Sequence, residues 1–205
     1  MDDSLRAGLA IYNAGAFRAA HGAWESRWLD LPDGSADERF LHGLIQFTAA
    51  VHHAREENYS GATGLAESAQ AYLDGLADDY RGVNLGDVRQ FLSTLEADPA
   101  TALRDGPVAL RHDGRVLIYD DLDFDAIVVA AETLAEEGAG FDESVVEDAI
   151  AYAREEVADG TQTQYTAQVF DFVQNEAQRG LVYQRMAEHV RRKRRREDDV
   201  TGLFD

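Results

Sequence analysis

The chain predicts an all-α fold: a helical bundle built from antiparallel helix hairpins, with a C-terminal helical extension and one short β-hairpin. Three observations carry this. Apolar residues recur at i, i+3 and i+4 along nearly the whole length, the period of a helix with one buried face. Capping residues and glycines interrupt that rhythm where helices should start and stop. Hydrophobic residues make up 45% of the 205, with only three prolines, a globular rather than a disordered composition.

A first helix is expected over about residues 4–13, stopped at Asn13-Ala14-Gly15, where Gly15 takes a left-handed conformation. A second runs from about Ala16 to Leu29 with the stripe Phe17, Ala20, His21, Trp24, Glu25 and Trp28. Leu31-Pro32-Asp33-Gly34 reads as a turn. Ser35 with Glu38 then spells a capping box for a third helix that reaches about Glu57. Its two apolar sides, Phe40, Leu44, Phe47 and Val51 against Gln46, Ala49, Ala50 and His53, make it the central helix of its bundle. Asn58 caps a fourth helix to about Leu76. Asn84 begins a fifth, which Asp98-Pro99 closes.

Residues 107–119 break the rhythm. Val108-Ala109-Leu110 and Val116-Leu117-Ile118 flank Asp113-Gly114, the signal of a tight hairpin. Three helices follow: about 123–137, about 142–158, and one opened by a Thr161/Gln164 capping box that carries Val169, Phe170, Val173, Leu181, Tyr183 and Met186. Gly138-Ala139-Gly140 is the expected linker, dividing a bundle domain at 1–138 from a helical extension at 141–205. A faint echo also links Gly15-x-Phe17-x-x-Ala20 with Glu57-x-Tyr59-x-x-Ala62. It reads as shared helix–turn–helix packing, not as a repeat array.

Net charge is −20, from 39 acidic and 19 basic residues, and Lys193 is the one lysine. Such a surface repels itself in dilute buffer and is relieved where salt screens charge over a few ångström. The expectation is a halophile-type, salt-adapted protein. The absence of cysteine excludes disulfides, thiol catalysis and cysteine-ligated metals. The opening Met-Asp-Asp-Ser carries no secretory signature, and no apolar run approaches the roughly 20 residues of a bilayer span. A cytoplasmic protein without membrane partners is expected.

The second helix places His21 with Glu25, and Trp24 with Trp28, at i, i+4 on one face. With Gln46, His53 and Asn58 they form the expected polar and aromatic locus. The run Asn13-x-Gly15-x-Phe17-x-x-Ala20-His21-x-x-Trp24-Glu25-x-x-Trp28, then Gly43-Leu44-Ile45-Gln46, then His53 and Asn58-x-x-Gly61-Ala62, resembles domain-of-unknown-function family 309. The resemblance is close over about residues 5–80, looser to about 137, and does not reach 141–205. It implies an all-α bundle and no established activity. That family has an acidic residue directly after the histidine where this chain has Gly22, so any role of that carboxylate is absent or replaced here.

Three readings of the locus stand open. It is a structural network, in which the polar groups satisfy one another and the tryptophans fill core. It is a small-molecule pocket walled by Trp24 and Trp28. Or it is a metal or hydrolytic site, with His21 and Glu25 opposed by His53 and Glu57, and His21 or His53 as general base. No catalytic residue, metal ligand set or cofactor is assigned. The basic run Arg191, Arg192, Lys193, Arg194, Arg195 and Arg196 reads as a helix end complementing the dipole or docking on the chain's own acidic surface. Its other reading is a phosphate-binding arm, which molar salt disfavours. The functional reading is a non-enzymatic ligand-binding or protein-interaction module, homo-oligomeric. The alternatives are a metal- or ligand-dependent hydrolase-like enzyme and a nucleic-acid-associated protein using the tail.

Overall fold

The computed structural model of the chain describes residues 1–104, 106–161 and 163–201. It is helical almost throughout and divides into two compact units, Met1–Leu122 and Asp123–Asp205. The expected linker at Gly138–Gly140 therefore falls inside the second unit, because the helix before it packs on the helices after it.

In the first unit, α1 spans Asp2–Asn13, α2 Phe17–Leu29, α3 Ala36–Arg55 and α4 Tyr59–Leu73. The two-sided apolar pattern of α3 has the expected consequence: α2 packs on one side of it and α4 on the other, while α1 packs on α2. Phe40, Leu44, Phe47, Trp24, Leu9 and Ile11 are fully buried. Gly43 permits close approach, since a Cβ there would strike the Leu73 side chain of α4. Ser35 Oγ accepts from the Glu38 amide at 3.1 Å, which forms half of the expected capping box. The Glu38 carboxylate is engaged elsewhere, by the indole of Trp28.

Next come α5, Leu85–Ala97, and α6, Pro99–Arg104. Pro99 ends α5 as expected, but it also opens α6, since a proline at the first helical position loses no hydrogen bond. Asn84 precedes α5 without capping it through its side chain. Its amide instead accepts from the Arg111 N–H at 2.8 Å and donates to the Ala109 carbonyl at 3.2 Å. The hairpin is real but shorter than its apolar flanks suggested: β1 is Arg111–His112 and β2 Arg115–Val116. Asp113 (φ 49°) and Gly114 (φ 78°) supply the two positive φ angles of the tight turn. Asn13 clamps the same segment, donating to the Leu110 and Leu117 carbonyls and accepting from the Leu110 N–H.

In the second unit, α7 is Phe124–Glu137, α8 Glu143–Ala158, α9 Gln164–Gln174 and α10 Arg179–Thr201. Asp123 and Asp142 cap α7 and α8 with their carboxylates. The single last helix expected from the sequence is two. The chain breaks at Asn175, and the Arg179 guanidinium folds back to donate to the Phe172 and Val173 carbonyls at the end of α9. The Thr161/Gln164 capping box does not form. Thr161 Oγ1 donates to the Glu156 carbonyl, and the Glu156 carboxylate, reaching over from α8, accepts from Tyr165 N, Thr166 N and Thr166 Oγ1 at the start of α9. The sequence also offers Val200-Thr201-Gly202-Leu203-Phe204 as an apolar anchor or a fraying end, and those side chains lie outside the described residues.

Candidate functional site

The seven residues of the expected locus lie on α2, α3 and the α3–α4 turn, and the structure sorts them into separate environments. Trp24 points inward. It is fully buried, donates its indole N–H to the Leu5 carbonyl at 3.3 Å, and fits only because position 8 is glycine, where any Cβ would collide with the indole. It is a core residue that ties α2 to α1.

His21 and Glu25 stay at the surface. Their side chains are 38% and 51% exposed, with Nε2 and Oε2 3.7 Å apart, a helix-surface pair of small energetic weight. Trp28 does not join them in a pocket. Its indole N–H donates to Glu38 Oε1 at 2.8 Å, and its ring lies 4.4 Å from that of His42, which stacks at 3.8 Å on Tyr72. His42 Nδ1 is 3.4 Å from Glu38 Oε1, so one carboxylate oxygen serves both rings. This half-buried cluster joins α2, α3 and α4.

His53 and Asn58 do meet, at the opposite end of α3. Asn58 Nδ2 lies 2.7 Å from His53 Nδ1, and Asn58 Oδ1 accepts from the Gly61 N–H, which is the cap expected for α4. Gly61 leaves room for both side chains. Gln46 is half-buried on the stripe of α3 that runs from His42 to His53. At 1.5 Å per residue those two imidazoles stand about 16 Å apart along the helix. Among the described residues, no group of three or more His, Asp or Glu side chains is placed to hold a metal ion.

Sequence reasoning missed Glu38, His42 and Tyr72. Two signals were present: Glu38 and His42 sit at i, i+4, and His42 begins the Gln46–Ala49–His53 stripe. What only folding supplied is that Trp28 of α2 and Tyr72 of α4 close on that pair from both sides.

In the second unit the basic run resolves into two faces. Lys193 and Arg194 turn inward onto α8. Lys193 Nζ donates to Glu155 at 2.7 Å and lies 3.6 Å from the Tyr152 ring centre, while Arg194 pairs with Asp148. Docking on the chain's own acidic surface is thus what these two residues do. Arg191, Arg192, Arg195 and Arg196 are exposed and form no ion pair among the described residues.

The fold defines an all-α protein with a short β-hairpin. Residues 5–65 match the model of the family described as "Domain of unknown function (DUF309)", the resemblance read from the sequence. The chain is also similar to an uncharacterized protein of Aquifex aeolicus (strain VF5), 30% identical over 81 residues. That match covers 40% of this chain and 24% of the relative, so the chain spans about a quarter of the length of the curated relative it matches. Among the described residues, no helix is long and apolar enough to cross a membrane.

Proposed function

We propose that the first unit is a non-enzymatic protein-interaction module whose partner is a second copy of this chain, joined through the outer face of α2. One observation carries the reading: His21, Glu25 and Leu29 share the solvent-facing side of that helix, with the half-buried Trp28 at its edge, and Leu29 is 69% exposed. An aromatic edge and an exposed leucine beside a few charges is the composition of an interaction surface. Its polarity is also self-complementary. Arg18 lies toward the N-terminal end and Glu25 toward the C-terminal end, where Arg27 and Asp30 offset one another at 4.0 Å. Two antiparallel copies of α2 related by a two-fold axis set basic against acidic ends and bring the apolar residues together.

The enzyme readings are supported less, because the polar groups a catalyst needs are spread along α3 or committed to one another. The acidic surface supports a salt-adapted protein, so the test belongs in molar salt. Sedimentation velocity in molar KCl should give a dimer for the unaltered chain and a monomer for Leu29→Glu, with circular dichroism unchanged. A monomer at every soluble concentration, or a dimer indifferent to Leu29→Glu, overturns the reading.

A further inference from the structure

The second unit holds a cleft of about 230 Å³ between the start of α9 and the last turns of α10, lined by Gln164, Tyr165, His189, Arg192, Lys193 and Arg196. Beside it on α10 lies a shallower depression lined by Glu188, Arg191, Arg192 and Arg195. Arg192 borders both. The two hollows therefore present four guanidinium groups against one carboxylate on a chain whose net charge is −20.

The pairing pattern singles these arginines out. Lys193 and Arg194, on the same two turns, are neutralised by Glu155 and Asp148. Arg191 and Arg192 spend only their Nε atoms, donating back to the Ala187 and Glu188 carbonyls of their own helix. That holds each side chain along the helix and leaves its terminal nitrogens for an external acceptor. With 39 acidic residues on the chain, four guanidinium groups without an ion-pair partner among the described residues mark a face whose counterion comes from outside.

The rest of the cleft is preorganised. Tyr165 forms one wall, fixed by its hydroxyl donating to the His189 carbonyl at 3.2 Å and by its ring lying 5.0 Å from Tyr152. His189 Nδ1 lies 2.6 Å from Gln168 Nε2. That contact occupies one ring nitrogen and leaves Nε2 without a partner among the described residues. Burial and the neighbouring Arg192 hold the imidazole below its usual pKa, against an opposing pull from Glu188.

We propose that this cleft and its neighbour bind a ligand carrying adjacent phosphates, with Arg192 bridging them, Arg196 and His189 on one side and Arg191 and Arg195 on the other. Guanidinium groups match phosphate oxygens as bidentate forks, and a cleft keeps part of that energy as hydrogen bonds when salt screens the long-range charge. Tyr165 gives the site an aromatic wall that the arginine run alone lacks. The adjacent phosphates come either from a free diphosphate or from a nucleic-acid backbone.

The test uses the full chain and two probes, inorganic pyrophosphate and a fluorescently labelled single-stranded RNA oligonucleotide, at about 0.15 M and at molar KCl. Pyrophosphate should shift the His189 ring resonances and raise that imidazole's pKa. Arg192→Ala and Arg196→Ala should each weaken binding roughly tenfold, the scale of a charge-assisted hydrogen bond. Arg194→Ala, which releases only the α8 contact, should leave binding unchanged. RNA binding tighter than pyrophosphate and displaced by it identifies the backbone as the source, and the reverse order identifies a free diphosphate. Absence of binding by both probes, or binding that survives the paired Arg192→Ala and Arg196→Ala changes, overturns the proposal.

Discussion

Glu57 occupies, at the end of α3, the same left-handed backbone position that Gly15 occupies at the end of α1, with φ of 59° and 86°. The hydrogen bonds match as well. Gly15 N donates to Tyr12 O and Ala16 N to Ile11 O; Glu57 N donates to Ala54 O and Asn58 N to His53 O. Each is a Schellman ending, and Gly160 with Thr161 repeats it after α8. The weak sequence echo between residues 15–20 and 57–62 is thus two uses of one helix-ending turn.

A side chain in that conformation costs about 1 kcal/mol or more, and glycine escapes most of it. Glu57→Gly is therefore expected to stabilise the chain by roughly 0.5–1 kcal/mol after its extra unfolded-state entropy is deducted. Urea unfolding of this variant beside Glu57→Ala checks it: alanine keeps the strain, so it should show no such gain.

Gly8 is glycine for a different reason, because the Trp24 indole fills the space a Cβ would need. Gly8→Ala should cost roughly 1–3 kcal/mol through overpacking. Combined with Trp24→Leu, it should cost markedly less than the sum of the two single changes. A double-mutant cycle that comes out additive contradicts the packing described here.

The shared carboxylate of Glu38 predicts a graded response. Glu38→Gln keeps an oxygen for the Trp28 indole and should cost little. Glu38→Ala strands that N–H beside His42 and should cost on the order of 1–2 kcal/mol. Trp28 fluorescence followed through unfolding reports both the stability and the local change.

Glu156 gives the second unit an acid-sensitive joint. Burial raises its pKa, but hydrogen bonds from Thr163, Thr166 and Tyr165 outweigh this and hold the carboxyl down at about 2. Because the folded value lies below the unfolded one, its contribution is complete above the ordinary glutamate range and is lost as pH falls toward about 2. Glu156→Gln should be less stable than the unaltered chain at neutral pH. The gap should close between about pH 4.5 and 2. A gap independent of pH contradicts the cap.

The charge of −20 predicts that salt stabilises the chain. Raising KCl from about 0.1 M to about 1 M cuts the screening length from about 10 to about 3 Å. The melting temperature should climb by several degrees over that range. A flat or falling profile removes the support for salt adaptation.

The sequence by itself determined α1 to α5, α7 and α8, the central place of α3, the Asp113-Gly114 turn and the Asn58 cap. Each follows from periodicity or from a side chain bonding its own backbone a few residues away, interactions that adjacent residues settle among themselves. Where the sequence pointed to distant partners, tertiary structure decided. Trp24 and Trp28 share an i, i+4 spacing, yet one fills the core against Gly8 and the other meets Glu38, His42 and Tyr72. Glu156, not Thr161, governs the start of α9, because the turn after α8 brings that carboxylate to the free amides. Of the six basic residues, Lys193 and Arg194 are the two that α8 meets with carboxylates, Glu155 and Asp148. Helical spacing tells which residues share a face; which neighbour that face meets depends on how the helices pack, and packing is a property of the whole chain.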